Sequence, residues 1–430
     1  MNYNLPHSAT HSSLDLFDKL TILDPIITSN VQECLCQSSS DESSVEFNFQ
    51  SDLNNFIDLQ EIYLKVTVHF KKPLEFGHAK PELNKSKDKH DETTFVNNLM
   101  HSLFKNAELC FNGTQVYSSN DLYAHKAFIS NEISHTSGTK TSLLGCQGYG
   151  YEKMPSKLDS EPFVDRHEKL DDQTSMTFFG KLAIDVFTCD KYLLPGVKVN
   201  VRLSRSDTNF VVIRDEDHPT NVYPVITDIK LFVRKVAVHE STIRHIEATL
   251  SKDVATYNFS EVLPKYFSIA SGLNQFKVEN IFNNAPIRRL VLAMNTSAAF
   301  RGSNLGTNPF HYQKFGLERI KLVRGTQVVV DLDTTDNTEA FVTTIRALKF
   351  DEDGPGVEFQ DFDNHFILAF DLTSTQEAHV HMYFRELLAA PLRLELQFKQ
   401  ALEKVVDVLV LGERLSTIAI DKNRAVHKNG

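Results

Sequence analysis

Histidine, cysteine and acidic side chains are the groups that could do chemistry in this chain, and their spacing limits which chemistry. His379-Val380-His381 would set two imidazoles on one face of a strand, the beginning of a metal site. No third ligand and no orienting partner accompanies them in the sequence, so ordinary surface histidines are expected. The acidic turn Asp351-Glu352-Asp353-Gly354-Pro355-Gly356 could attract a cation, yet it lacks the ligand spacing of an EF-hand loop. Cys34-Leu35-Cys36 has no second Cys or His pair at zinc-ligand distance. Gly145-Cys146-Gln147-Gly148-Tyr149-Gly150 has neither the spacing nor the strand-to-helix setting of a phosphate loop, and reads as a flexible loop. No Ser, Cys or Thr sits in a nucleophile-elbow pattern. The expectation is a protein that is not an enzyme, with no catalytic, cofactor-binding or metal-binding residues.

The elements that would have to position any site are strands. In Glu61–Phe70, the residues Ile62, Leu64, Val66, Val68 and Phe70 fall on one face, and Tyr63, Lys65, Thr67 and His69 on the other. That period of two belongs to a half-buried strand and leaves no room for a helix. Val197, Val199, Val201 and Leu203 repeat the pattern, as do Leu392, Leu394, Leu396 and Phe398. Clean alternation predicts antiparallel sheet with one wet face, because strands of parallel sheets read as unbroken apolar runs.

The 430 residues exceed what one hydrophobic core usually serves, so two domains are expected. A net charge of −11, from 45 basic and 56 acidic residues, argues against a nucleic-acid binder as a whole. The tail Asp421–Gly430 carries too few cations for strong phosphate binding. The five cysteines are few and scattered; Cys110 reads as a free buried thiol, and a reducing place of synthesis fits. The N-terminus lacks the basic and apolar regions of a signal peptide, and no stretch nears the roughly 20 apolar residues of a membrane span. Seventeen histidines in an acidic chain predict contacts between copies that respond to pH between about 5 and 7.

Gly113-Thr-Gln-Val and Gly325-Thr-Gln-Val each close an apolar run, and their surroundings repeat too. Residues 95–116 match 308–328, 178–188 match 365–374, 196–206 match 391–401, and 225–236 match 405–415, with Asp228 set against Asp407. Four blocks in one order predict a duplication. Each half holds about eight strands, which suits an all-β fold of two tandem eight-stranded antiparallel jelly rolls with short connecting helices and long loops. The expected divisions are an N-terminal arm (1–42), a first jelly roll (43–239), a connecting helix (240–250) capped by Ser241, a second jelly roll (251–424) and a tail (425–430). Exposed excursions are expected at 71–94, 118–175 and 331–364, with helices near 121–133 and 338–348.

Phe95–Phe104 with the following Asn112-Gly-Thr-Gln-Val, Asp190–Ser206, Asn308–Val328 and Ile418–Arg424 are also the segments of a recognisable family. On them the chain resembles the double jelly-roll, hexon-like major capsid proteins of Maverick/Polinton elements and adintovirus-like DNA viruses. The resemblance runs from about residue 14 to 424. It implies homotrimers of pseudo-hexameric outline that tile an icosahedral shell around double-stranded DNA. Implied partners are further copies of the chain, penton-like vertex proteins and minor capsid proteins, with no strong direct nucleic-acid binding. The implied location is the virion capsid, made inside the host cell and not secreted through the endoplasmic reticulum. The alternative is a jelly-roll receptor- or glycan-binding protein, such as a vertex component.

Overall fold

A computed structural model describes residues 25–37, 43–71, 93–152, 161–171, 175–214, 222–303, 306–349, 358–378 and 389–429. His379, His381 and the acidic turn at 351–356 lie outside these residues, as do 1–24 and 72–92.

The first half contributes β1 (Ile26–Leu35), β2 (Ser44–Gln50), β3 (Asn55–Lys71), β4 (Phe104–Phe111), β5 (Thr114–Ser118), β6 (Met176–Lys181), β7 (Lys198–Arg205) and β8 (Tyr223–Val238). The second contributes β9 (Ala255–Ile269), β10 (Gln275–Val278), β11 (Arg289–Thr296), β12 (Leu317–Arg324), β13 (Gln327–Asp333), β14 (Ile367–Asp371), β15 (Leu392–Phe398) and β16 (Val406–Ile420). The first half forms antiparallel sheets in the orders β1-β8-β3-β6 and β2-β7-β4-β5. The second forms β9-β16-β11-β14 and β10-β15-β12-β13, the same orders moved on by eight. Two sheets related by such crossovers make a jelly roll, and the chain holds two in tandem.

The alternation read from the sequence sets the inside of each sandwich. Ile62, Leu64, Val66, Val68 and Phe70 are buried in the first core, and Leu392, Leu394, Leu396 and Phe398 in the second. Each such side chain contributes about 1.5–3 kcal/mol on burial.

The doubled Gly-Thr-Gln-Val closes the β4–β5 and β12–β13 hairpins, but one residue out of step. Asn112 and Gly113 both have positive φ and join the paired Phe111 and Thr114, a type I′ turn. In the second hairpin Gly325 has positive φ, directly after Arg324, which pairs with Gln327. Each hairpin carries a bulge at the same distance before its two-residue turn, between Leu109 and Cys110 and between Leu322 and Val323, so the hairpins are built alike and only the four repeated residues are offset by one.

Several expectations change. Residues 26–35, expected within the N-terminal arm, form β1 at a sheet edge. The strand was illegible because Ile27 to Glu33 are exposed on both faces, so no period of two marks it. The tail is not free either: Val426–Asn429 form β17, paired with the end of β16. Cys110 is free, as expected, but half-buried rather than buried in the core. Leu182–Asp185, aligned with Leu368–Asp371 of β14, lie beyond the end of β6 and run into a 3-10 turn.

Helices α1 (Tyr123–Ser134), α2 (Glu161–Asp171), α3 (Glu240–Leu250) and α4 (Asn337–Leu348) complete the frame. α3 joins the halves and packs Ile243, Ile246 and Leu250 on the first core. Its N-cap is His239 rather than Ser241, which lies inside the first turn and makes no capping bond.

Candidate functional site

The densest chemistry among the described residues lies along the seam between the two jelly rolls. α1 belongs to the excursion between β5 and β6 and reaches across the outer face of the sheet β9-β16-β11-β14. Phe128, Ile129, Leu144 and Tyr149 from the first half meet Val291, Ala293, Ile367, Ala369, Leu409 and Leu411 from the second in a third apolar cluster. Phe128 stacks on Phe310 at 4.3 Å between ring centroids. This face reads as apolar on both sides in β11 and β16, because both sides are covered.

His125 anchors the same helix. Its Nε2 lies 2.9 Å from the carbonyl oxygen of Phe300, which can only accept, so Nε2 carries the proton. Its Nδ1 then accepts from the Tyr312 hydroxyl at 2.9 Å. Burial pushes this imidazole down to about 4, so it is neutral at pH 7. The Phe300 ring stacks on it at 4.0 Å.

One residue further, Lys126 Nζ donates to Asp185 Oδ1 at 2.6 Å and to the Tyr117 hydroxyl at 2.7 Å. Asp185 Oδ2 accepts the Val262 amide of β9 at 2.8 Å, so one carboxylate joins both halves. Burial pushes Lys126 down and Asp185 up, each opposed by the attraction of the other. Nearby, Glu413 of β16 accepts from Arg288 and, at 2.7 Å, from Arg289 Nε. Burial alone would raise Glu413, but the two guanidiniums outweigh it and the net shift is downward. Glu261 follows the same balance, with Lys428 and Arg414 overcoming burial.

Backbone packing is as close as the side-chain packing. Gly302 has φ +65°, and a Cβ there would stand 2.6 Å from Cα of Phe210 in the first half. Only glycine fits that approach. Tyr257, Phe259, Ile418, Ile420 and Val426 reach beyond their own sandwich into the first core. Arg424 donates to the Pro195 carbonyl at 2.9 Å and pairs with Glu247 of α3 at 2.5 Å. The tail's Arg424 and Lys428 are therefore engaged within the chain, which explains their failure to form a basic arm.

The arrangement fastens; it does not display a reacting group. A cleft of about 760 Å3 opens along the seam, but its charged residues include the paired Lys126–Asp185 and Arg289–Glu413. A second, of about 670 Å3, lies at one end of the second jelly roll, between Asn295, His311, Lys399 and Glu403. Among the described residues no three of His, Cys, Asp and Glu gather as a metal site. Gly145–Gly150 is a fixed turn rather than a flexible loop: Asn97 Oδ1 accepts the Gly150 amide at 2.9 Å, and Gln147 bonds the buried His101. Sequence reading missed the seam residues, since a lone Lys, Asp or Glu carries no spacing signal until the fold brings partners from distant positions together.

No protein-family model matches the chain. An uncharacterized protein of Caenorhabditis elegans is 23% identical over 255 residues, covering 57% of this chain and 59% of that relative. The match thus spans about three-fifths of that relative's length. Among solved structures, a chain from the cryo-electron microscopy structure of the Sputnik virophage is similar with a TM-score of 0.64 at 9% identity, over 99% of this chain and 93% of that one. The mavirus major capsid protein is similar at 0.57 and 9% identity, over 100% and 95%. The faustovirus major capsid protein follows at 0.59 and 8% identity, over 94% and 92%. These likenesses bear on the fold, and they span both jelly rolls.

Proposed function

We propose that the chain is a structural major capsid protein that trimerises into pseudo-hexameric capsomers and tiles an icosahedral shell around double-stranded DNA. The reading includes the Maverick/Polinton and adintovirus-like lineage named by its sequence resemblance. The observation that carries it is the full-length overlay of two fused jelly rolls on capsid proteins, rather than a match confined to one sandwich. A duplicated sandwich puts two similar walls on each chain, so three chains present six to their neighbours. On this reading the protein is not an enzyme and takes no cofactor. Its partners are its own copies, penton-like vertex proteins and minor capsid proteins, and its place is the virion after synthesis inside the host cell. Packaging contacts with DNA come from another protein. We place the first jelly roll at 26–239, α3 at 240–250 and the second at 251–429.

Expression of the full chain followed by negative-stain imaging tests this. Hexagonal capsomers or closed shells are expected. Dispersed single chains at high concentration would overturn the reading.

A further inference from the structure

Among the described residues β1 is an edge strand that nothing guards. It pairs with β8 on one side only, unbroken from Thr28 to Leu35, with a bulge at Ile27. Ile26–Leu35 hold no proline and no lysine. Their one charge, Glu33, pairs with Lys230 of the same sheet at 3.5 Å. Ile27, Val31 and Leu35 are 58%, 62% and 66% exposed. Proteins ordinarily blunt such an edge, because its free N–H and C=O groups are a template for another strand.

β9, which pairs with β16 as β1 pairs with β8, shows how this chain blunts one. Asp185 accepts the Val262 amide at 2.8 Å, and Lys191 donates to the Thr256 carbonyl at 3.1 Å. Pro264 lies on the same side of the β9 backbone and has no N–H to offer. The first half thus closes the edge of the second. The remaining edge strands of the four sandwich sheets are seven residues long or shorter. Among the described residues β1 is the one long edge left open.

The sequence of β1 is complementary to itself in a single antiparallel register. Opposed residues share a face, so pairing odd with even positions would set Val31 against a polar neighbour. Centring the pair on Glu33 brings two carboxylates face to face. Centring it on Ser29 leaves Leu35 beyond the end of the partner strand. Centring it on Val31 sets Val31 against its own copy, Leu35 against Ile27 and Glu33 against Ser29. That register matches all three exposed apolar side chains and opposes no like charges.

We propose that β1 pairs antiparallel with β1 of a second copy about a two-fold axis at Val31, making one continuous sheet of the two. The contact goes beyond the capsid reading. It is isologous and closes on two chains, so it links chains of different capsomers rather than chains within a three-fold ring.

Site-directed cross-linking of the full chain with a short bis-maleimide tests the register. The background carries Cys36→Ser, Cys110→Ser and Cys146→Ser, the cysteines that are not buried. Across the axis the two residues 31 have Cα atoms about 4.5–5.5 Å apart. Val31→Cys should therefore give covalent dimers well above the background chain. Ser29→Cys alone should not, because its two copies stand about 13 Å apart along the strands. Ser29→Cys mixed with Glu33→Cys should cross-link again. Adding Leu35→Lys to Val31→Cys removes an apolar contact at each end and should lower the yield at least about threefold. Adding Leu53→Lys, at a residue 79% exposed outside β1, should leave it unchanged. Equal yields from Val31→Cys and Ser29→Cys alone would overturn the pairing. Three-chain species without the residue-31 cross-link sink this contact and leave the capsid reading standing; the cross-link without three-chain species does the reverse.

Discussion

The outer faces of the sheets β1-β8-β3-β6 and β9-β16-β11-β14 share strand order and register, yet one is open and the other sealed. Leu409, Leu411, Val291, Ala293, Ile367 and Ala369 pack under α1 and its neighbours. Their counterparts Lys230, Phe232, Tyr63, Lys65, Phe179 and Lys181 face outward. Even the aligned acids part ways: Asp407 is fully buried and accepts from Ser268 at 2.5 Å, whereas Asp228 stands in an exposed pairing with Lys230. The two halves share a backbone plan, and their side chains differ according to whether described residues of the chain cover the face.

The sharpest way to break this comparison is to place one charge at equivalent points. Ile367→Asp would bury an unpaired carboxylate at a residue only 5% exposed and should cost about 4 kcal/mol of stability in urea denaturation. Phe179→Asp, measured at a dilution where chains are separate, should stay within about 1 kcal/mol of the unaltered chain. Equal losses would refute the claim that one face is sealed and the other open.

Ion pairs sharpen it next. Glu413→Ala leaves two partly or fully buried guanidiniums without their carboxylate and should cost about 3 kcal/mol. Removing Lys181, whose pair with Glu61 is solvent-exposed at 3.3 Å, should change stability by no more than about 0.5 kcal/mol. Glycines give a third contrast. Gly302→Ala combines strained φ with the close approach of Phe210 and should cost about 2.5 kcal/mol. Gly113→Ala, with similar φ but open space around it, should cost about 1 kcal/mol in the same thermal melts.

Acid should loosen the interior. Burial holds His101, His125 and His311 down at about 4, and His125 lies in the seam itself. Unfolded, each imidazole takes up a proton as pH falls through about 6.5; folded, each resists until about 4. Their contribution is complete at pH 7 and declines through that window, by roughly 2 kcal/mol for each group at pH 5. His125→Asn should therefore flatten the dependence of melting temperature on pH between 7 and 5. An unchanged slope would remove His125 from this account. Three of the seventeen histidines thus act inside the fold, not between copies as the sequence suggested.

Strands with one wet face were legible because period two records a burial pattern directly, as in Ile62–Phe70 and Leu392–Phe398. The helices α3 and α4 show the helical equivalent, one apolar face each, whereas α1 is buried on nearly every side and carries no such pattern. β1 was not, because its backbone pairing with β8 holds it while its side chains face water. The seam was illegible because Lys126, Asp185 and Val262 lie far apart in sequence and acquire meaning only when the fold brings Asp185 within 3 Å of both the Lys126 ammonium and the Val262 amide. Gly302 gave no signal because its constraint is the Phe210 backbone, 92 residues earlier.

Native mass spectrometry of the full chain at micromolar concentration tests the central claim most directly. The capsid reading proposed above predicts a dominant species of three chains. A single chain across the whole concentration range would contradict it.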